Sequence, residues 1–166
     1  MKPALLVIDV QNLFFKNSPV ASQSLNNAIR MINRAIALFR EKQLPVICIQ
    51  QMDKEQNLVP GESDFDTPAN MDILPGDIHI HKRYRNSFNQ TSLADILREK
   101  GVDTVIVTGY SAEYCVLSTA WGAEDLDLTP ILLRGALASG SQENIRFVES
   151  VNDLITYKAL VKAVDK

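Results

Sequence analysis

Three residue types able to share one proton-transfer task stand just after apolar runs of the sequence. Asp9 follows residues 4–8, Lys82 follows residues 78–81, and Cys115 lies one turn beyond residues 104–108. A thiol attacks carbon as the thiolate, and a nearby cation together with a helix N-terminus lowers its pKa. Lys82 offers the cation, while Asp9 can accept the thiol proton and return it to a leaving amine. Backbone N–H groups of Ser111 and Cys115 would then hold a developing oxyanion. Each residue also has a plainer role open to it. Asp9 can be a turn residue, Lys82 a solvated charge, and Cys115 a small buried side chain like Cys48 in mid-strand.

The three groups meet only if the runs before them are neighbouring strands. Residues 4–8, 46–49, 105–107 and 131–133 are apolar without polar alternation, the pattern of strands buried on both faces of a parallel sheet. Residues 78–81 alternate and suit a strand nearer an edge. Between the runs, Leu25, Ile29, Ile32, Ile36 and Phe39 form one helical stripe that Pro45 stops. Leu93, Ile96 and Leu97 mark a second helix, capped by Thr91 or Ser92 and ended near Gly101. A third is expected over residues 112–125, a fourth from a cap at Ser141, and a short terminal one over 157–164. Strand and helix alternate, so the chain reads as a three-layer α/β domain with helices on both sheet faces, one unit over residues 1–166. In such sheets ligands bind at the carboxyl ends of the strands, where Asp9, Lys82 and Cys115 all fall. Residues 51–76 carry Pro60, Gly61, Pro68, Pro75 and Gly76 with little periodicity and read as a long loop, either a lid or a solvated connection.

Composition narrows the function classes. A net charge of −3 with a pI near 5.4 gives no basic surface for nucleic acid. No run approaches the ~20 apolar residues of a membrane span. Two cysteines without an export signal point to a reducing, cytoplasmic setting. The first βα turn, Asp9-Val10-Gln11-Asn12, lacks the G-x-G-x-x-G of a dinucleotide site.

Three motifs carry a family resemblance. The opening Asp9-Val10-Gln11-Asn12-Leu13-Phe14 resembles the D-x-Q-x-x-F of the isochorismatase-like cysteine hydrolases. Lys82, Ser87, Phe88, Thr91 and Leu93 are similar to that family's K-x-x-x-S-x-F-x-x-T-x-L segment, with one extra spacer residue before Ser87 and none between it and Phe88. Thr108-Gly109 through Cys115-Val116, then Thr119-Ala120 and Ala123, resembles its T-G-x-x-x-x-x-C-V-x-x-T-A-x-x-A nucleophile segment. The resemblance implies a Rossmann-like six-stranded parallel sheet, an Asp9–Lys82–Cys115 triad and a non-proline cis peptide at Tyr110–Ser111. It also implies cleavage of amide or ureido bonds in small molecules through an acyl-enzyme, in a homodimer or homotetramer.

The chain departs from the family pattern in several places. Metal-binding members carry Asp-x-His after the second strand, where this chain has Asp53 but no histidine before His79. No metal or other cofactor is therefore expected, and His79 and His81 read as ordinary edge-strand residues. Family members that cleave a vinyl ether lack the cysteine, so Cys115 argues for acyl chemistry. Gly135-Ala136 replaces a usual Asp-Ala, which removes a supporting carboxylate. For the pocket, Phe15, Tyr84 and Tyr114 are candidate walls and Gln11 either a hydrogen-bonding partner of substrate or a brace of the βα turn, with Phe14 and Phe88 left to the core. The leading expectation is a metal-independent cysteine amidohydrolase; the alternative is a catalytically degenerate binding or interaction protein on the same fold.

Overall fold

Each unbroken apolar run becomes a strand covered on both faces, because neither of its sides can meet water. The computed structural model describes residues 1–165. Its strands are β1 (Pro3–Ile8), β2 (Val46–Gln51), β3 (Ile78–Lys82), β4 (Thr104–Tyr110), β5 (Thr129–Ala138) and β6 (Leu154–Ile155). They form one sheet in the order β3-β2-β1-β4-β5-β6, every neighbouring pair parallel. The order winds outward in both directions from β1, so the crevice of such a sheet opens between β1 and β4.

Strand side chains alternate, and the alternation builds two cores. Leu5 and Val7 pack with Ile106 and Leu133 against α1 (Pro19–Glu41) and α5 (Tyr157–Val164). Ala4, Leu6 and Ile8 pack with Val105 and Val107 against α2 (Leu93–Glu99), α3 (Leu117–Glu124) and α4 (Gln142–Ser150). The expected three layers are present. No helix among the described residues is long and apolar enough to cross a membrane.

Local chemistry accounts for the boundaries. The helix α1 begins ahead of its apolar stripe because Ser18 accepts from the Ala21 N–H at 3.0 Å and Pro19 tolerates the first helical position. At α2 the side-chain cap is Thr91, whose Oγ1 accepts from the Leu93 N–H, while Ser92 makes no such bond. Ser141 occupies the cap position of α4 without a side-chain cap bond; its own N–H donates to Ser139 Oγ at 3.0 Å. The third helix differs most from expectation. Residues Ala112–Val116 form a single π-helical turn, closed by the Val116 N–H on the Ser111 carbonyl at 3.2 Å, and α-helix starts only at Leu117. Apolar spacing does not encode such a one-residue widening, which recurs at functional sites.

The long loop is anchored. Leu58, Phe65 and Met71 are buried within it, and the Phe65 carbonyl accepts from both Gln11 Nε2 and Gln50 Nε2, each at 3.0 Å.

Candidate active site

Adjacent strands end together, and that brings the polar groups to one edge. Asp9 leaves β1 in a left-handed conformation (φ 51°), which an aspartate tolerates better than most residues, with its N–H donating to the Ile49 carbonyl at 2.8 Å. Gln51 ends β2 and lies in register with Lys82, the last residue of β3. Cys115 sits in the π-helical turn that follows β4. Lys82 is 1% exposed, so its ammonium must be partnered inside the protein. Its Nζ lies 2.9 Å from Asp9 Oδ2, 2.6 Å from Gln51 Oε1, 3.1 Å from the Tyr84 carbonyl and 3.3 Å from Cys115 Sγ. An ammonium has three protons for these four neighbours, so the contact to sulfur is shared. Asp9 is equally buried, and its second oxygen, Oδ1, has no hydrogen-bond partner among the described residues.

Burial dominates the proton affinities here. It pushes the Asp9 carboxyl above its ordinary value against the opposing charge of Lys82. It pushes the Cys115 thiol up to about 12, helped by the charge of Asp9 and opposed by Lys82. The expectation of a lowered thiol pKa is therefore overturned. It weighed Lys82 and a helix start but not desolvation or the aspartate, and the regular helix begins only after the cysteine. At rest Cys115 keeps its proton, with an avid carboxylate beside it.

The turn carrying Cys115 is built by the motif residues. Gly109 (φ 116°) lies against β1 so closely that a Cβ there would collide with the Ile8 backbone. Thr108 Oγ1 donates to the Leu6 carbonyl at 2.8 Å, fixing the same strand pair. The Tyr110–Ser111 peptide is cis, as the resemblance implies. Ser87 and Thr119, both buried, join the segment after β3 to α3 by two hydrogen bonds of 3.0 and 2.8 Å. A further carboxylate, Glu113, braces the turn. Its Oε2 accepts from Ser111 Oγ at 2.7 Å, and its Oε1 from Ser139 Oγ at 3.0 Å and Asn144 Nδ2 at 2.9 Å. Partial burial raises the Glu113 pKa, but the backbone and these three donors outweigh it and hold the group below its ordinary range. Sequence reading missed Glu113; its place two residues before the nucleophile candidate was the available signal.

A cavity of about 650 Å³ opens above this edge, with Asp9 and Cys115 among its lining residues and Phe14, Tyr110 and Tyr114 as aromatic walls. The expected wall residues divide. Tyr114, half exposed, lines the cavity as anticipated, as do Tyr110 and Ser111. Tyr84 faces a neighbouring recess with His81 and Gln90. Phe14 and Phe15 both pack on the α1 core, as expected for Phe14; Phe15 is not among the cavity's lining residues, whereas Phe14 also lines it and stacks on Tyr110 at 5.1 Å. Gln11 is corrected from substrate contact to brace. It is fully buried, its Nε2 donates to the Gln51 and Phe65 carbonyls at 3.0 Å, and its Oε1 accepts from the Gln51 N–H at 2.8 Å. Both its N–H donors are used, and the side chain is closed off from solvent.

A family model described as the isochorismatase domain matches residues 3–151. The chain belongs to the isochorismatase family. It is similar to the structure of an isochorismatase-like hydrolase from Alkaliphilus metalliredigens, with a TM-score of 0.88 and 25% identity, covering 98% of this chain and 99% of that one. N-carbamoylsarcosine amidase from Thermoplasma acidophilum superposes with a TM-score of 0.79 at 25% identity, covering 94% and 95% of the two chains. A ureidoacrylate amidohydrolase from Pseudomonas syringae pv. syringae is 26% identical over 205 residues, covering 99% of this chain and 83% of that protein.

Two of this member's departures from the family pattern acquire a location. Gly135 (φ 81°) lies in β5 beside Met31 of α1 and is not among the residues lining the cavity, so the missing carboxylate leaves the Asp9–Lys82–Cys115 contacts intact. Asp53, His79 and His81 each have partners within the protein. Asp53 accepts from the Glu55 N–H and from Gln56 Nε2, His79 Nε2 contacts the Leu74 carbonyl at 3.0 Å, and His81 meets the Phe65 ring edge-on. Among the described residues no three His, Cys, Asp or Glu side chains gather as metal ligands.

Proposed function

We propose that this isochorismatase-family protein is a metal-independent cysteine hydrolase that cleaves an amide or ureido C–N bond of a small molecule. The observation that carries the reading is the buried contact chain Asp9–Lys82–Cys115, with Lys82 Nζ 2.9 Å from the carboxylate and 3.3 Å from the sulfur at a cavity wall. The amidohydrolase and amidase activities named for two relatives support it. Cys115 Sγ attacks the substrate carbonyl carbon as its proton passes to Asp9, whose raised affinity suits it as base. Lys82 stabilises the charge that moves onto sulfur. The N–H groups of Ser111 and Cys115 hold the oxyanion of the tetrahedral intermediate. As the C–N bond breaks, Asp9 returns the proton to the leaving nitrogen and a thioester remains on Cys115. Water then attacks the thioester, giving its proton through Asp9 to sulfur, and the acid product leaves.

The test is Cys115→Ala assayed with a panel of small amides and ureides. Loss of at least about 10⁴-fold in rate is expected, with a mass adduct on Cys115 in the wild-type protein incubated with a turned-over amide. Hydrolysis that persists in Cys115→Ala sinks the assignment.

A further inference from the structure

We propose that Arg83 and Arg85 form an anion subsite at the mouth of the Cys115 cavity, and that the amide or ureide taken there carries a carboxylate. The inference rests on the hydrolytic reading for its reaction but on a separate observation for its specificity: which charges lining the cavity are already satisfied. Five ionisable side chains other than Tyr and Cys line it: Asp9, Asp53, Glu113, Arg83 and Arg85. Asp9 is matched by Lys82. Both oxygens of Asp53 accept hydrogen bonds within the loop, from the Glu55 N–H and from Gln56 Nε2. Both oxygens of Glu113 accept from Ser111, Ser139 and Asn144. The acids are thus occupied by the protein's own donors.

The two arginines are not. Neither belongs to an ion pair among the described residues, and only their backbone carbonyls take part in hydrogen bonds. Arg85 is nonetheless held in place, its guanidinium lying 4.7 Å over the ring of Tyr114, the residue next to Cys115. Stacking occupies the face of a guanidinium and leaves its in-plane N–H edge free, the edge that grips a carboxylate with two parallel hydrogen bonds. Arg83 lines the same cavity and adds a second positive charge. Among the charged groups of the cavity, the hydrogen-bonding capacity left unfilled is therefore that of guanidinium donors.

Two matched comparisons test this. The first is kcat/KM for succinamate over butyramide, and for N-carbamoyl-β-alanine over N-propylurea, pairs that differ in a terminal carboxylate. The second is the rate at which 3-bromopropionate and 3-bromopropionamide alkylate Cys115, read from the mass of its peptide, which needs no turnover. Wild-type protein should favour the anion by about 10- to 100-fold in both, the range expected for hydrogen bonds to a charged group. The preference should fall toward unity in the Arg83→Met/Arg85→Met double variant and partly survive in Arg85→Lys. Arg98→Met, an exposed arginine of α2 paired with Asp95, should leave it unchanged. Hydrolysis of neutral and anionic amides alike overturns the subsite and leaves the hydrolytic reading standing. An anion preference that the double variant retains also overturns it. If no amide is hydrolysed while the alkylation preference still follows the arginines, the subsite stands and the hydrolytic reading falls.

Discussion

Two carboxylates sit at the same sheet edge, within reach of the same turn, and the protein treats them in opposite ways. Glu113 is half buried and fully bonded; three side-chain donors fill its oxygens and hold it ionised below the ordinary carboxylate range. Asp9 is deeply buried, shares one oxygen with Lys82 and keeps the other without a partner, and its proton affinity rises. A satisfied carboxylate has nothing left to do but hold geometry. A buried carboxylate with an unpartnered oxygen costs stability, and the proposed mechanism gives that oxygen a transient partner, the Cys115 proton.

The largest effect should come from Asp9→Asn, which keeps shape and removes basicity. Activity on small amides should fall by about 10³- to 10⁴-fold, as when a triad carboxylate is neutralised. A folded variant keeping a tenth of wild-type activity would break the contrast between the two acids. The pH profile sharpens it next. Asp9 must be ionised to accept the thiol proton and its affinity is raised, so kcat/KM should fall about tenfold per pH unit on an acidic limb centred above the ordinary Asp value of 3.8. A limb at or below that value would contradict the assignment.

Glu113→Gln should act through structure. Replacing an acceptor-only group by one with its own N–H donors mismatches three hydroxyl and amide donors. A loss of about 1–2 kcal/mol in stability and a fall in kcat of roughly tenfold are expected, with KM little moved. The sign with pH is fixed: Glu113 has a depressed folded pKa, so its contribution is present above the unfolded value of 4.5 and lost as pH falls through the lower folded one. The melting difference between wild type and Glu113→Gln should hold at neutral pH and shrink as the pH falls below the unfolded value of 4.5. The smallest effect should come from a carboxylate placed off this edge. Gly135→Asp restores the usual family residue beside Met31, so kcat/KM should change less than about twofold, although the left-handed backbone there lowers stability by about 1 kcal/mol.

Much of this was legible because it depends on local pattern. Apolar runs gave the buried strands, the stripe from Leu25 to Phe39 gave α1, and strand ends gave the convergence of Asp9, Lys82 and Cys115. What escaped depends on contacts distant in the chain. Gln11 braces the loop only because Phe65 folds back over it. That Phe14 rather than Phe15 reaches the cavity depends on the conformation of the turn after β1, and the two residues of β6 are too few to show a period. The thiol pKa went the wrong way because desolvation is a property of the closed fold. The value of Arg83 and Arg85 likewise lies in the acids beside them being bonded to other donors, which no motif states.

The Phe65 carbonyl, gripped by Gln50 of β2 and by Gln11 of the turn after β1, has a consequence for how this protein can change. A connection fastened at its midpoint is two short tethers instead of one long one, and each closes at a lower entropic cost. Amide exchange should therefore be slowest at the glutamine clasp and faster in the spans on either side. The half before Phe65, which carries Asp53 and Gln56 to the cavity, can be exchanged between relatives as a unit, while the half that follows keeps its seat on α1 through Asn33. The clasp divides a span that lines the cavity from one that packs on α1.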